Sequence, residues 1–247
     1  MLKKILKRTR NILRYGLSEE GRARKRADKA AARDKRFESA LWEREGELAR
    51  RKYASYEEYV EHQAAKLDNI VHRLEETRSE DYADFVRRFE GCAPLRERAR
   101  NVLCLGARLG TEVQAMHSIG LFAVGIDLNP GPDNLYVVKG DFHAIQFPDG
   151  SVDAVYTNVF DHVYDMAKMI AEIERVLPVG GLLVADVLKG FEEGFVPGAY
   201  EATHWKNVDA LLAEILRLGH FDVVERRDLG QVRRDHWIQL VLRKQAA

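Results

Sequence analysis

The sequence predicts an α/β fold: a doubly wound, mostly parallel seven-stranded sheet with an antiparallel last strand, preceded by an N-terminal helical extension. Three observations predict it. From residue 101 onward, short apolar runs alternate with amphipathic helical stretches, the pattern of parallel strands joined by crossover helices. The last two apolar runs follow each other across a short turn, so the final strand must reverse direction. Before residue 99 there is no such alternation, and helical spacing and charge dominate.

The chain has 247 residues, with 39 Lys+Arg and 39 Asp+Glu, so its formal net charge is zero. That zero conceals a segregation. Residues 1–36 carry 14 basic and 4 acidic side chains, and the remainder carries 25 and 35. A basic segment therefore precedes an acidic body. No run of 18 apolar residues occurs, which excludes a membrane-spanning helix of the usual length. Two cysteines, Cys92 and Cys104, with no CxxC pair, exclude a disulfide framework and a zinc knuckle. No H-E-x-x-H spacing is present, so no metal is expected.

Residues 1–17 place Leu2, Ile5, Leu6, Ile12 and Leu13 on one side of a helix otherwise filled with Lys and Arg. Such a helix suits peripheral contact with an anionic membrane surface, or packing on a partner. Residues 18–52 are highly charged and free of proline, consistent with a long exposed helix supported by ion pairs, or with disorder. The segment 1–52 is therefore read as a basic, highly charged helical extension. From Tyr53 the texture changes. Ser55 and Glu58 have capping-box spacing, and Tyr56, Tyr59, Val60, Gln63, Leu67 and Ile70 form one helical face. Residues 53–98 read as a helical cap or linker packing on the body, broken at Gly91 and Pro94.

The third segment, 99–247, holds the strands: 101–105, 121–127, 135–138, 152–157, 181–187, 221–229 and 237–244. Helical patterns occupy 111–119, 165–177 and 207–218. Ligands of such sheets bind beyond the carboxyl ends of the strands, so the residues there carry the functional signal. After the first strand, Gly106 and Gly110 flank a turn into a helix, where glycine permits close backbone approach and the helix N-terminus offers free N–H groups. The second strand ends in Asp127, about 20 residues beyond Gly106, a spacing at which a carboxylate accepts ribose hydroxyls. After the third, Asp141 and Phe142 offer a carboxylate and an aromatic face suited to adenine.

Glycine turn, ribose carboxylate and adenine carboxylate, in this order, resemble the class I S-adenosylmethionine-dependent methyltransferases. The stretches FPDGSVDAVYTN (147–158) and EIERVLPVGGLLVADV (172–187) carry the resemblance further. It covers 101–187 closely and 188–244 by topology, and it implies S-adenosylmethionine as cofactor and 99–247 as the methyltransferase domain. Two positions depart from the family pattern: Cys104 stands where an acidic residue is usual, and Arg108 where the middle glycine is usual. Arg108 is expected to face the cofactor carboxylate through a charge-assisted bond. The turn after Asp127 is also too short for the family's usual helix, which leaves the Tyr56/Tyr59/Gln63 helix as a cover for the adenine side.

The resemblance places Asn158, Val159, Phe160, Asp161 and His162 around the reactive methyl. His162 is the first candidate base, with Asp161 orienting it or taking the cofactor's amino group, and Asn158 joins the cofactor set. His204 and Trp205 form a second candidate acceptor pair. The chain lacks the [DNS]-P-P-[YFW] run of base-amino methyltransferases and a cysteine after the fourth strand. A small molecule or glycan-type acceptor, methylated at oxygen or nitrogen, is therefore favoured over nucleic acid. The expected location is the cytoplasm, with residues 1–17 as a peripheral membrane contact. Two other readings remain open: a catalytically silent binding or scaffold module, and an RNA-directed enzyme that uses the basic tail.

Overall fold

The computed structural model describes residues 42–233 and 235–246, together with Glu20. The amphipathic stretch 1–17, and with it the proposed membrane contact, lies outside the described residues. The described chain begins with strands β1 (Trp42–Glu45) and β2 (Leu48–Arg51), followed by helices α1 (Tyr56–Ala64), α2 (Lys66–Glu90) and α3 (Ala93–Arg98). The body continues with β3 (Asn101–Leu105), α4 (Thr111–Ser118), β4 (Phe122–Asp127), β5 (Val137–Lys139) and β6 (Ala154–Thr157). It ends with α5 (Met166–Val176), β7 (Leu182–Leu188), β8 (Thr203–Trp205), α6 (Val208–Leu218), β9 (Phe221–Val232) and β10 (Asp235–Lys244).

Seven strands form one sheet in the order β5-β4-β3-β6-β7-β10-β9. β3 pairs in parallel with β4 and β6, and β10 runs antiparallel to β7, as the short final turn requires. All seven strands read from the sequence are present, within a few residues at their ends. Strand order reverses at β3, between β4 and β6, which opens the ligand crevice beyond the carboxyl end of β3.

Side chains alternate faces along each strand, so each face builds its own core. Leu103 and Leu105 join Ile170 and Ile173 of α5 and Leu211 and Ile215 of α6. Val102 and Cys104 point the other way, toward Met116 of α4, Leu95 of α3 and Phe89 of α2. Cys104 is fully buried, as its apolar setting predicts. The second face also holds a buried polar lock. Asp186 of β7 accepts hydrogen bonds from Arg88 Nη1, Tyr156 Oη and Gln239 Nε2, each at 2.9 Å. Arg88 also pairs with Asp84 on its own helix, so α2 is tied to the sheet centre by charge as well as by Phe89.

The extension read as helical through residue 52 is corrected at its end. Residues 42–51 form a hairpin, and β2 pairs with β8 to make a second, three-stranded sheet. Burial explains the change: Trp42, Leu48 and Ala49 are covered, and Leu48 stands opposite Trp205 in the ladder. Ser55 accepts from the Glu58 N–H at 3.3 Å to start α1, and α2 stops at Gly91.

Candidate cofactor and acceptor site

The turn after β3 is tight because both Gly106 and Ala107 donate backbone N–H to Ile126 O, at 2.9 and 3.1 Å. Gly106 has φ +70°, and a Cβ there would lie 2.6 Å from Val159 Cγ1. Gly110 has φ +74°, and a Cβ there would meet Tyr136 at 2.7 Å. Between them Arg108 also adopts a left-handed backbone, φ +44°, a conformation most side chains avoid. Two hydrogen bonds hold it: its N–H donates to Asp127 Oδ2 at 3.0 Å, and its carbonyl accepts from Asn134 Nδ2 at 3.0 Å. The middle position of the turn thus keeps the backbone shape of a glycine while carrying a guanidinium.

Asp127 closes the corner. Its Oδ2 takes the Arg108 N–H, and its Oδ1 takes the Asn129 N–H at 2.9 Å. Burial raises its carboxyl above the ordinary aspartate value, against these two bonds and the nearby Arg108 charge. Asn129 Nδ2 donates to Ala64 O of the cap at 2.9 Å, so the short loop after β4 is tied to α1. The cap therefore occupies the side where the sequence lacks a helix.

Asp141 lies at the next strand end, held by three donors. His143 donates its backbone N–H to Oδ1 at 2.8 Å and its ring approaches at 3.0 Å, while Tyr56 Oη of the cap donates to Oδ2. Burial alone would raise this carboxyl; the His143 and Tyr56 bonds outweigh it and hold it below the usual range. His143, which no motif in the sequence singles out, belongs to this cluster. Phe142 is buried and lines the cavity beside Asp127.

His162 follows β6 in a single 3₁₀ turn, residues 160–162. Its Nδ1 faces Tyr200 O at 2.9 Å, its Nε2 faces Lys66 Nζ at 2.5 Å, and Asp161 Oδ2 stands 3.5 Å from Nε2. Nδ1–H therefore donates to the carbonyl, and the Nε2 lone pair accepts from the lysine. Burial, then the Lys66 and Arg108 charges, push the His162 pKa well down. Burial and Arg108 lower Lys66, whereas burial raises Asp161, so the pair lies close to sharing a proton. Sequence reasoning missed Lys66, which in the run E-H-Q-A-A-K-L looks like an ordinary solvated helix charge.

Among the described residues, Asp161, His162 and Glu201 bring three ligand-type atoms within 4.8 Å of one another. The Lys66 ammonium on His162 supplies positive charge to this group. His204 and Trp205 do not join it. They are buried in β8, where Trp205 Nε1 donates to Leu188 O at 2.9 Å and His204 packs among Phe191, Phe195 and Trp205.

Two cavities meet at Gly106, Arg108 and His162. The first, with about 40 Å³ of free volume, lies between the cap residues Tyr59 and Lys66 and the sheet residues Asp127 and Phe142. The second, about 270 Å³, is walled by Phe85, Arg88, Leu188 and Trp237 and reaches Glu112, Asn158 and Asp161. The candidate residues Gly106, Arg108, Asp127, Phe142, Asn158, Asp161 and His162 thus line one or both. Gly110 shapes the turn, and Asp141 stands behind Phe142 holding the cap.

Sheet order defines a doubly wound α/β protein with a crevice at its switch point. Residues 103–185 match the family model described as "Methyltransferase domain". That match covers about a third of the chain, and over it the chain is similar to methyltransferase domains. A stretch of 91 residues is 37% identical to an uncharacterized 37.1 kDa protein of transposon TN4556 from Streptomyces fradiae, covering 32% of this chain and 26% of that protein. The chain thus spans about a quarter of that relative's length. Among solved structures, Burkholderia thailandensis 1,6-didemethyltoxoflavin-N1-methyltransferase, bound to 1,6-didemethyltoxoflavin and S-adenosylhomocysteine, aligns with a TM-score of 0.63. Identity is 17%, over 84% of this chain and 100% of that one. A S-adenosylmethionine-dependent methyltransferase from Thermotoga maritima aligns at 0.55, with 15% identity over 74% and 99%. At these identities the likeness is one of fold. Among the described residues, no helix is long and apolar enough to cross a membrane.

Proposed function

We propose that this protein transfers a methyl group from S-adenosylmethionine to an oxygen or nitrogen of a small-molecule or glycan-type acceptor. The observation that carries the reading is Asp127. Its carboxylate, fixed by the Arg108 and Asn129 N–H groups at the carboxyl end of β4, borders a cavity shared with Gly106 and Phe142. In this reading the adenosine enters the first cavity, with ribose on Asp127. The amino-acid end crosses the glycine turn past Arg108 into the second. The methyl then emerges near Asn158, Asp161 and His162.

The first cavity is far smaller than the several hundred Å³ a ligand of this size occupies, so the cap side chains, Lys66 among them, shift when cofactor enters. Methyl transfer from a sulfonium depends mainly on holding nucleophile and methyl in line. The proton of the acceptor passes to the Asp161–His162–Lys66 cluster, in which His162 is the candidate base and Lys66 its partner. The walls of Phe85 and Trp237 suit a ring-bearing acceptor small enough for the second cavity. The structural neighbour's action on a small molecule at nitrogen supports the same class.

The test is calorimetric titration of the full chain with S-adenosylhomocysteine, followed by transfer of labelled methyl to panels of ring-bearing small molecules, glycans and RNA. Absence of binding returns the chain to the silent-module reading, which the small first cavity favours. Methylation of RNA alone overturns the acceptor class.

A further inference from the structure

Glu112 is the second residue of α4 and only 6% exposed, yet it lines the second cavity together with Gly106 and Asn158. Among the described residues, no lysine, arginine or histidine nitrogen forms an ion pair with it. The other carboxylates of this wall are engaged. Asp84 pairs with Arg87 and Arg88, Asp81 with Arg233 at 2.5 Å, Asp161 stands 3.5 Å from His162, and Asp235 is likewise engaged. Burial pushes the Glu112 carboxyl up to about 8. Its own backbone N–H and the Arg108 charge pull the other way, and Asp127 and Asp81 add to the rise. Cys104 of β3, a position that contributes no carboxylate of its own, lies within electrostatic reach of Glu112.

A carboxyl kept this deep without a cation costs stability, and a cavity wall is where a ligand removes that cost. Four residues earlier on the same wall stands Arg108. A cation and an anion so placed, on either side of a glycine turn, match a ligand that carries a carboxylate and an ammonium on one carbon. We propose that Glu112 binds the ammonium group of the cofactor's amino-acid end while Arg108 takes the adjacent carboxylate. This rests on the methyltransferase reading, and it frees Asp161 from that duty to serve the Lys66–His162 cluster.

Two probes separate the end groups: S-adenosylhomocysteine, which has the amino-acid end, and 5′-methylthioadenosine, which lacks it. Calorimetry on the full chain is expected to show that Glu112→Gln weakens S-adenosylhomocysteine by about tenfold or more and leaves 5′-methylthioadenosine within about twofold. Adding Cys104→Asp to the same variant returns a carboxylate from β3 and recovers part of the lost affinity. Because the free carboxyl is largely protonated at pH 7 and an ammonium partner favours its ionised form, wild-type binding releases a proton. Buffers of different ionisation heat report that release, and Glu112→Gln abolishes it. Equal weakening of both probes, or of neither, overturns the assignment. Failure of the wild-type chain to bind S-adenosylhomocysteine at all overturns instead the reading on which it rests.

Discussion

Replacing Asp127 by alanine removes the group on which the proposed cofactor site turns. A carboxylate has about four acceptor positions. The N–H groups of Arg108 and Asn129 use one on each oxygen, at 3.0 and 2.9 Å. One position per oxygen remains, the number that the two ribose hydroxyls require. Hydrogen bonds to a charged acceptor contribute about 1.5–3 kcal/mol each, so two are worth roughly 3–6 kcal/mol before desolvation. Burial has already raised the Asp127 carboxyl, so part of that gain is offset, and a net loss of about 3 kcal/mol, roughly 150-fold in affinity, is expected. Alanine also orphans two loop N–H groups at about 1–3 kcal/mol in all, which lowers the melting temperature by several degrees in a domain of this size. Asp127→Asn keeps one acceptor oxygen and should fall between. Calorimetry with S-adenosylhomocysteine, paired with thermal melts, measures both effects. A folded Asp127→Ala protein that binds within about threefold of wild type refutes the ribose assignment.

Arg108→Ala is expected to weaken S-adenosylhomocysteine by about tenfold, since a charge-assisted bond to the carboxylate is lost; calorimetry with unchanged affinity refutes its role. Lys66→Met removes a charge that holds His162 down, so the His162 pKa moves back toward the ordinary histidine value. The folded value lies below the unfolded one, so the unfolded chain binds more protons and wild-type stability declines as pH falls below about 6.5. In Lys66→Met that acid-side decline is smaller, measured by urea midpoints from pH 5 to 8 and by NMR titration of the ring. Asp186→Ala strands Arg88, Tyr156 and Gln239 in the core and should cost about 3–5 kcal/mol in urea unfolding. A cost below about 1 kcal/mol contradicts the lock.

The strand ends were legible because their signals are local. Gly106 and Gly110 answer to backbone conformation within one turn, and Asp127 to its distance from them, so the crevice follows from about 20 consecutive residues. The hairpin at 42–51 was not legible, because what buries Trp42 and Leu48 is Phe191 and β8, some 150 residues later, and a charged window around three apolar side chains reads as exposed helix. Lys66 was hidden for a similar reason. Nothing in its helical neighbours marks it as buried; only the packing of the cap over His162 does. Glu112 stands in the first turn of a helix, where an acidic charge suits the dipole, and nothing local in the sequence marks it as buried. It shares its cavity wall with Asp81, Asp84 and Phe85 of α2, far from it in sequence. Asp141 was read as an adenine contact, yet Tyr56 and His143 hold it, since a donor presented by the cap competes for the same oxygens.

The break at Gly91 and Pro94 marks a change of topology, and it is a poor place to cut the chain. Phe89 packs beneath the sheet edge-on to Tyr156 at 4.9 Å, and Arg88 reaches Asp186 from the same helix turn. Removing residues 1–98 would expose the α2-facing core, including Met116 and Val113, and leave Asp186 without its cation. It would also remove Tyr59, Gln63, Lys66 and Leu67, one whole side of the first cavity. The match over 103–185 therefore covers only one wall of the proposed cofactor site. A fragment of residues 99–247 is expected to show a broad, weakly cooperative melt by circular dichroism and no heat of S-adenosylhomocysteine binding. A fragment beginning at residue 42 should retain both. If the shorter fragment melts cooperatively and binds as tightly as the full chain, the cap is dispensable. In that event Lys66 and Tyr59 have no part in the site.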